Sequence, residues 1–256
     1  MTVDGLMEQG LRALEEGEAQ AAARYFQQVI EMEETAEAWL LLAAAQIENG
    51  SFAKAHKSLA AGLRLETDDI DLLFSLGDLY LEEGNNGKAI ATYQQIIDLD
   101  AEEVDAWISM AVAKMNNNDF EGAENTCRQA LEIDAESAFA HNALGDICVA
   151  KNKTEEAMKC FQQAIKLDSS DPQPYLSLAE LYYEANKFDQ AEEYCQQGLE
   201  LDAGLAPGYL MLGNICLDQD RTQEAIDYLQ QFLRLEKSPA AKNIRDEVSA
   251  VVEGLK

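Results

Sequence analysis

Residues 70–103 read Ile70-Asp-Leu-Leu73-Phe-Ser-Leu76-Gly77-Asp-Leu-Tyr80-Leu-Glu-Glu-Gly84-Asn-Asn-Gly-Lys-Ala89-Ile-Ala-Thr-Tyr93-Gln-Gln-Ile96-Ile97-Asp-Leu99-Asp100-Ala-Glu-Glu103. Leu73, Leu76, Leu79 and Tyr80 recur every three or four residues, the spacing of one face of an α-helix. Gly84 interrupts the run. Beyond it Ala89, Tyr93, Ile96 and Ile97 begin a second run at the same spacing, so the segment predicts two helices joined by a short turn.

A shift of 34 residues re-aligns the sequence on this segment and divides it into seven repeats: 3–35, 36–69, 70–103, 104–137, 138–171, 172–205 and 206–239, the first one residue short. Repeat position 20 is Ala22, Ala55, Ala89, Ala123, Ala157, Ala191 and Ala225. An invariant alanine marks a place where two helices approach too closely for anything larger. Position 8 is always small as well, alternating between glycine and alanine from Gly10 to Gly213. Position 15 is Gly17, Gly50, Gly84, Asn118, Asn152, Asn186 and Asp220, residues that tolerate the left-handed backbone just past a helix end. Each repeat is therefore expected to be a helical hairpin.

Leu73-x2-Leu76-Gly77-x2-Tyr80 followed by Ala89-x3-Tyr93, with Trp39 and Trp107 at the leading aromatic position of two other repeats, resembles the tetratricopeptide repeat family. The resemblance implies an all-α, right-handed superhelical solenoid of seven hairpins. Two departures stand out. The closing proline is missing from every repeat, which is expected to loosen the turn between repeats, and the tyrosine position holds Cys148 and Cys216 in the fifth and seventh. Ser238 and Pro239 then read as the N-cap and first residue of a helix, with Ile244, Val248, Val251, Val252 and Leu255 at helical spacing. Residues 240–256 are expected to cap the last hairpin, whose apolar face would otherwise meet water.

Charge narrows the partners. With 48 Asp plus Glu against 19 Lys plus Arg, the chain carries a formal charge of −29. Such a polyanion is repelled by phosphate, which argues against nucleic acid and anionic membranes and favours basic proteins. At 47% apolar residues it still has enough core to fold. No stretch reaches the roughly 18 to 20 continuous apolar residues of a membrane span. The segment Met1–Gly10 lacks the basic and apolar regions of a secretory signal, so a cytoplasmic location is expected.

In proteins of the resembled family, positions 2, 5, 6, 9, 12 and 13 of the first helices line a concave groove. Across the seven repeats these are 42 residues, of which thirteen are acidic and none is Lys or Arg. The expected partner-binding groove comprises Met7, Leu11, Leu40, Glu48, Asp71, Phe74, Asp78, Glu82, Ile108, Val112, Met115, Phe139, Asn142, Asp146, Leu176, Glu180, Tyr183, Leu210 and Asn214. An apolar trough rimmed with carboxylates suits a Lys/Arg-bearing amphipathic helix or extended segment. Family members that hold the acidic tails of heat-shock chaperones use Lys, Arg and Asn. This groove offers Asn142 and Asn214 but no cation, which argues against that role.

Catalytic and metal constellations are lacking in the pattern. His56 and His141 are the only histidines; His56 stands alone early in a second helix, and His141 occupies a core position. No phosphate loop or Ser-His-Asp arrangement can be assembled. Cys127, Cys148, Cys160, Cys195 and Cys216 are too far apart for metal spacing and read as reduced, core-forming thiols. Asp98-Leu-Asp100-Ala-Glu102 and Asp168-Ser-Ser-Asp171 superficially suggest calcium loops, yet they fall between repeats, where position 31 is always acidic, and read as turn residues. The sequence thus predicts a non-catalytic scaffold or adaptor with no cofactor or metal, holding a basic-apolar protein segment. The alternatives are a secretion or assembly chaperone, a self-associating structural scaffold, and acidity adapted to high salt rather than to a partner.

Overall fold

The structure is a computed structural model and describes residues 2–255, which form fifteen α-helices and no strand. The chain divides into two compact units, Met1–Ala135 and Glu136–Lys256.

The N-terminal unit holds α1 (Val3–Glu15), α2 (Ala19–Met32), α3 (Ala36–Glu48), α4 (Phe52–Leu65), α5 (Ile70–Glu82), α6 (Asn86–Leu99), α7 (Val104–Asn116) and α8 (Phe120–Ile133). Odd-numbered helices pack on the even-numbered helix that follows, and each second helix up to α6 packs on the next first helix. First helices also touch directly, α3 on α5 and α5 on α7.

The C-terminal unit repeats this order with α9 (Ala138–Ala150), α10 (Thr154–Leu167), α11 (Gln173–Glu184), α12 (Phe188–Leu201), α13 (Ala206–Asp218) and α14 (Thr222–Leu235), followed by α15 (Lys242–Gly254). Here too α9 pairs with α10, α11 with α12 and α13 with α14, and α15 lies on α14.

The turns within hairpins follow from position 15. Gly17, Gly50, Gly84, Asn118, Asn152, Asn186 and Asp220 all have φ between 55° and 73°. In the first hairpin the Gly17 N–H donates to the Leu14 carbonyl at 2.9 Å and the Glu18 N–H to Ala13 at 2.7 Å, the paired bonds of a Schellman motif. The same pair recurs at Asn186 and Lys187, onto Tyr183 and Tyr182. These bonds satisfy carbonyls that the helix end leaves without partners.

Close packing explains the invariant alanines. All seven are fully buried, at 0% exposure. Next to them, position 24 carries an aromatic ring in three hairpins: Phe26, Tyr93 and Phe161 are wholly buried and rank among the largest such side chains. Burying each contributes about 1.5–3 kcal/mol relative to exposure. All five cysteines are buried as thiols, not joined in disulfides. The Cys195 Sγ–H donates to the Gly208 carbonyl at 3.1 Å, and burial pushes this thiol up to about 12.

Absence of the closing proline does not disturb the end of the second helices. From Glu33 to Glu236, the position-31 residue leaves the helix in extended conformation while its N–H still donates to the carbonyl four residues back. The acids then fold the turn: Asp100, Asp168 and Asp202 each accept from the N–H two residues on, at 2.9, 2.8 and 2.7 Å. Those carboxylates serve turns, as their position between repeats suggested.

The final helix begins later than its sequence signals. Ser238 and Pro239 lie in a turn, where Ser238 Oγ accepts from the Ala241 N–H at 3.3 Å, and α15 starts at Lys242. Val248 and Val252, one turn apart, complete a cluster with Ile226, Leu229 and Phe232. Leu255 packs at its edge, whereas Ile244 and Val251 are 46% and 41% exposed. A helix lying on one neighbour buries a single i, i+4 line, which is why two of the five apolar positions remain in solvent.

Candidate functional site

In the N-terminal unit the first helices α3, α5 and α7 enclose a cleft of about 670 Å³. Leu40 and Ala44 come from α3, Ile70, Asp71, Phe74, Ser75 and Asp78 from α5, and Asp105 and Ser109 from α7, with Glu103 just before α7. Four carboxylates thus surround a half-buried apolar floor of Leu40, Ile70 and Phe74. Among the described residues, no Lys or Arg lines the cleft.

Two of these side chains are held from beneath. The Tyr93 hydroxyl donates to Asp78 Oδ1 at 2.6 Å, fixing the carboxylate of an otherwise exposed residue. The same ring lies 6.3 Å from that of Phe74, tilted at 52°. Burial and the Asp78 charge raise the Tyr93 pKa far above its ordinary value, so the phenol remains a donor throughout the accessible range.

Of the groove positions read from sequence, the structure brings Leu40, Asp71, Phe74 and Asp78 together in this cleft. Glu48 and Glu82 are exposed outside it, Leu11 is 43% exposed, and Met7 packs partly against the Leu6–Val29–Ala38 core. Val112 and Met115 are half-buried. Ile108 offers no surface, being 0% exposed, so it belongs to the core and not to a binding face. Ile70 and Glu103 line the cleft without having been singled out; their positions, 1 and 34, flank the start of a first helix, and that adjacency was the available signal.

In the C-terminal unit, Asp146 of α9 is half-buried, and burial together with the charge of Glu180 on α11 pushes its carboxyl up to about 6. The Tyr183 hydroxyl of α11 donates to Asp218 Oδ2 of α13 at 2.6 Å. That bond, reinforced by burial and the carboxylate charge, pushes the phenol up to about 12. Phe139 is 56% exposed, and Leu210 and Asn214 are half-buried. Leu176 and Asn142 are each only 7% exposed, which removes them as groove-lining surface; Asn142 Oδ1 is buried without a hydrogen-bond partner.

His141 is half-buried, and His56 does not stand alone: its Nε2 lies 2.7 Å from Glu83 Oε2 and its ring 4.9 Å from that of Tyr80. Among the described residues no three His, Cys, Asp or Glu side chains are placed to hold a metal ion. Among the same residues no helix is long and apolar enough to cross a membrane.

Two family models match the chain. One, the C-terminal domain of cilia and flagella-associated protein 70, matches residues 67–248; the other, a tetratricopeptide repeat model, matches residues 13–76. The chain belongs to the tetratricopeptide repeat family. No curated protein matches it in sequence. Among solved structures, a tetratricopeptide repeat protein from Parabacteroides merdae superposes with a TM-score of 0.77 at 19% identity, covering 98% of each chain. Yeast Tom70 gives 0.80 at 17% identity over 99% of this chain. Cut9, from the APC/C hetero-tetramer Cut9-Hcn1, gives 0.74 at 16% identity over 93%. The chain spans about half the length of the latter two, at 53% and 48%. At these identities the likeness concerns the tetratricopeptide fold alone.

Proposed function

We propose that this tetratricopeptide protein is a non-catalytic scaffold or adaptor that holds a Lys/Arg-bearing, partly apolar segment of another protein. The α3–α5–α7 cleft supports this reading best. It combines an apolar floor at Leu40, Ile70 and Phe74 with Asp71, Asp78, Glu103 and Asp105 at the rim and no cation of its own among the described residues. An amphipathic helix laid there can cover the floor while its cations meet the rim. Prealigning Asp78 through Tyr93 lowers the ordering cost of one such contact.

The test is binding of a fluorescent helical peptide with alternating Lys and Leu faces to the full chain. Exposed ion pairs contribute about 0.2–1 kcal/mol each, so D71N/D78N/D105N is expected to weaken binding about tenfold. F74A should weaken it as well. Binding that is unsaturable, or indifferent to both variants, overturns the reading.

A further inference from the structure

A second cleft opens in the N-terminal unit between α2, α3 and α4, with a volume of about 700 Å³, and shares no residue with the α3–α5–α7 cleft. Leu42 and Ala45 of α3 form its floor. Its polar wall is Gln20, Arg24 and Gln27 of α2, Gln46 of α3 with the adjoining Asn49, and Lys54 of α4.

The equivalent junction one repeat later, between α4, α5 and α6, is filled by side chains. There His56 lies 4.9 Å from the ring of Tyr80 and 2.7 Å from Glu83 Oε2, and Lys88 Nζ sits 4.9 Å over the same tyrosine. The cleft left beside them is smaller, about 430 Å³. One repeat earlier in sequence, His56, Tyr80, Glu83 and Lys88 correspond to Ala23, Gln46, Asn49 and Lys54. In place of that tilted ring pair and its hydrogen bond, the earlier junction has a methyl and two carboxamides, with the cation retained.

Other junctions also spend their polar groups internally. At α6–α7–α8, Lys114 Nζ donates to Thr126 Oγ1 at 2.7 Å. At α10–α11–α12, Tyr182 stacks on Tyr194 at 5.4 Å and carries Lys187 over its ring at 5.6 Å. At α12–α13–α14, Arg221 holds Glu192 through both terminal nitrogens, at 2.6 and 2.9 Å. In the α2–α3–α4 cleft the carboxamides are bonded internally, Gln46 Oε1 accepting from Ser58 Oγ at 2.8 Å, Asn49 Nδ2 donating to Ser51 Oγ at 3.2 Å and Gln28 Nε2 to the Arg24 carbonyl at 3.2 Å, but the two cations are not. Among the described residues, Arg24 and Lys54 have no ion-pair partner.

Local charge is opposite to that of the chain. The cleft lining contains two cations and, among the described residues, no Asp or Glu, although 48 of 256 residues are acidic. Glu18 and Glu48 border an adjoining depression that shares Gln20, Arg24 and Asn49, which confines the cationic stretch to the Lys54 side. Guanidinium and ammonium groups pair with carboxylates, and carboxamides offer both a donor and an acceptor to a peptide main chain. A cleft this size and open to solvent accommodates several residues of extended chain. A polyphosphate backbone would meet the repulsion of the whole polyanion, which one or two carboxylates largely escape at physiological salt.

We infer that the open α2–α3–α4 junction is a second binding site, for a short extended segment of a partner protein that carries one or two carboxylates. It is independent of the basic-apolar cleft and presents the opposite sign of charge.

The probe is a fluorescent octapeptide of serines carrying two Glu residues and an amidated C-terminus, titrated by anisotropy into the full chain at about 0.15 M salt, where the screening length is about 8 Å. Saturable binding is expected. R24A/K54A should weaken it about tenfold, since hydrogen bonds to charged groups are involved. A23H/Q46Y/N49E, which installs the side chains of the next junction, should abolish it, while D71N/D78N/D105N should leave it intact. Circular dichroism verifies folding of each variant. Absence of saturable binding, or binding that survives both cleft variants, overturns the assignment. A mass by light scattering that halves in R24A/K54A overturns it too, because the occupant would then be a second copy of this chain.

Discussion

The backbone of α5 at Gly77 lies directly against the ring of Tyr93 on α6: a β-carbon there would come within 2.6 Å of Cε1. Gly10 stands in the same relation to Phe26, and Gly213 to Leu229, each at 2.5 Å. Where this position holds alanine instead, as at Ala43, Ala111 and Ala179, its counterpart in the second helix is Leu59, Cys127 or Cys195. Aromatic rings stand only opposite glycine and cysteines only opposite alanine, with leucine opposite either. Gly77→Ala is therefore expected to destabilise the N-terminal unit by about 1–3 kcal/mol through overpacking, despite the gain in helix propensity. Adding Tyr93→Cys should recover part of that loss, a sub-additivity that urea denaturation of the two single variants and the double variant would detect.

Asp146 governs a pH dependence in the C-terminal unit. Its carboxyl rises from 3.8 to about 6 on folding, chiefly through burial and secondarily through Glu180. The folded state therefore keeps a proton that the unfolded chain has already released. Stability is expected to fall as pH rises from about 4 to about 6, by up to about 3 kcal/mol. Asp146→Asn should raise the melting temperature at pH 7.5 and have little effect near pH 3.5. Equal effects at both values would contradict this account.

Asn186 holds φ at 55° to end α11, a conformation that costs a β-carbon-bearing residue about 1 kcal/mol. Glycine avoids that cost. Asn186→Gly is expected to be neutral or slightly stabilising, and Asn186→Ala to lower stability by about 1 kcal/mol, both measured by thermal unfolding.

Arg221 ties α12 to the start of α14. Its guanidinium bonds Glu192 through two nitrogens and Glu224 at 2.5 Å, and this raises its pKa while lowering that of Glu224. With the Arg221 side chain 30% and Glu224 54% exposed, solvent screens much of the attraction. Arg221→Lys keeps the charge but loses the fork, and is expected to cost about 1 kcal/mol. Chemical denaturation in low and high salt checks this: a loss that persists in high salt reports geometry and not simple charge.

Legibility of the fold and of the site differed for a physical reason. Hairpin turns, helix pairing and repeat period were readable because they rest on local rules: a left-handed residue at position 15, an alanine at position 20, an apolar face at helical spacing. Exposure within one repeat position was not. Position 5 is half-buried at Leu40 and Phe74 but 0% exposed at Ile108 and 7% at Leu176. How far neighbouring side chains lean over a residue depends on amino acids a repeat or more away. The late start of α15 was likewise not legible: Ser238 has the chemistry of a cap, yet the helix begins at Lys242.

Sequence by itself determined that this chain is a run of helical hairpins of one family and that it is strongly acidic. Those properties follow from period, composition and short-range sterics, which a linear reading can count. Only the tertiary structure decided where the charge matters. It gathered Asp71, Asp78, Glu103 and Asp105 around Phe74 in one cleft, fixed Asp78 through Tyr93, and left Arg24 and Lys54 beside unfilled space in another. Electrostatic character at a surface is a sum over side chains brought together from different helices, and folding alone assembles that sum.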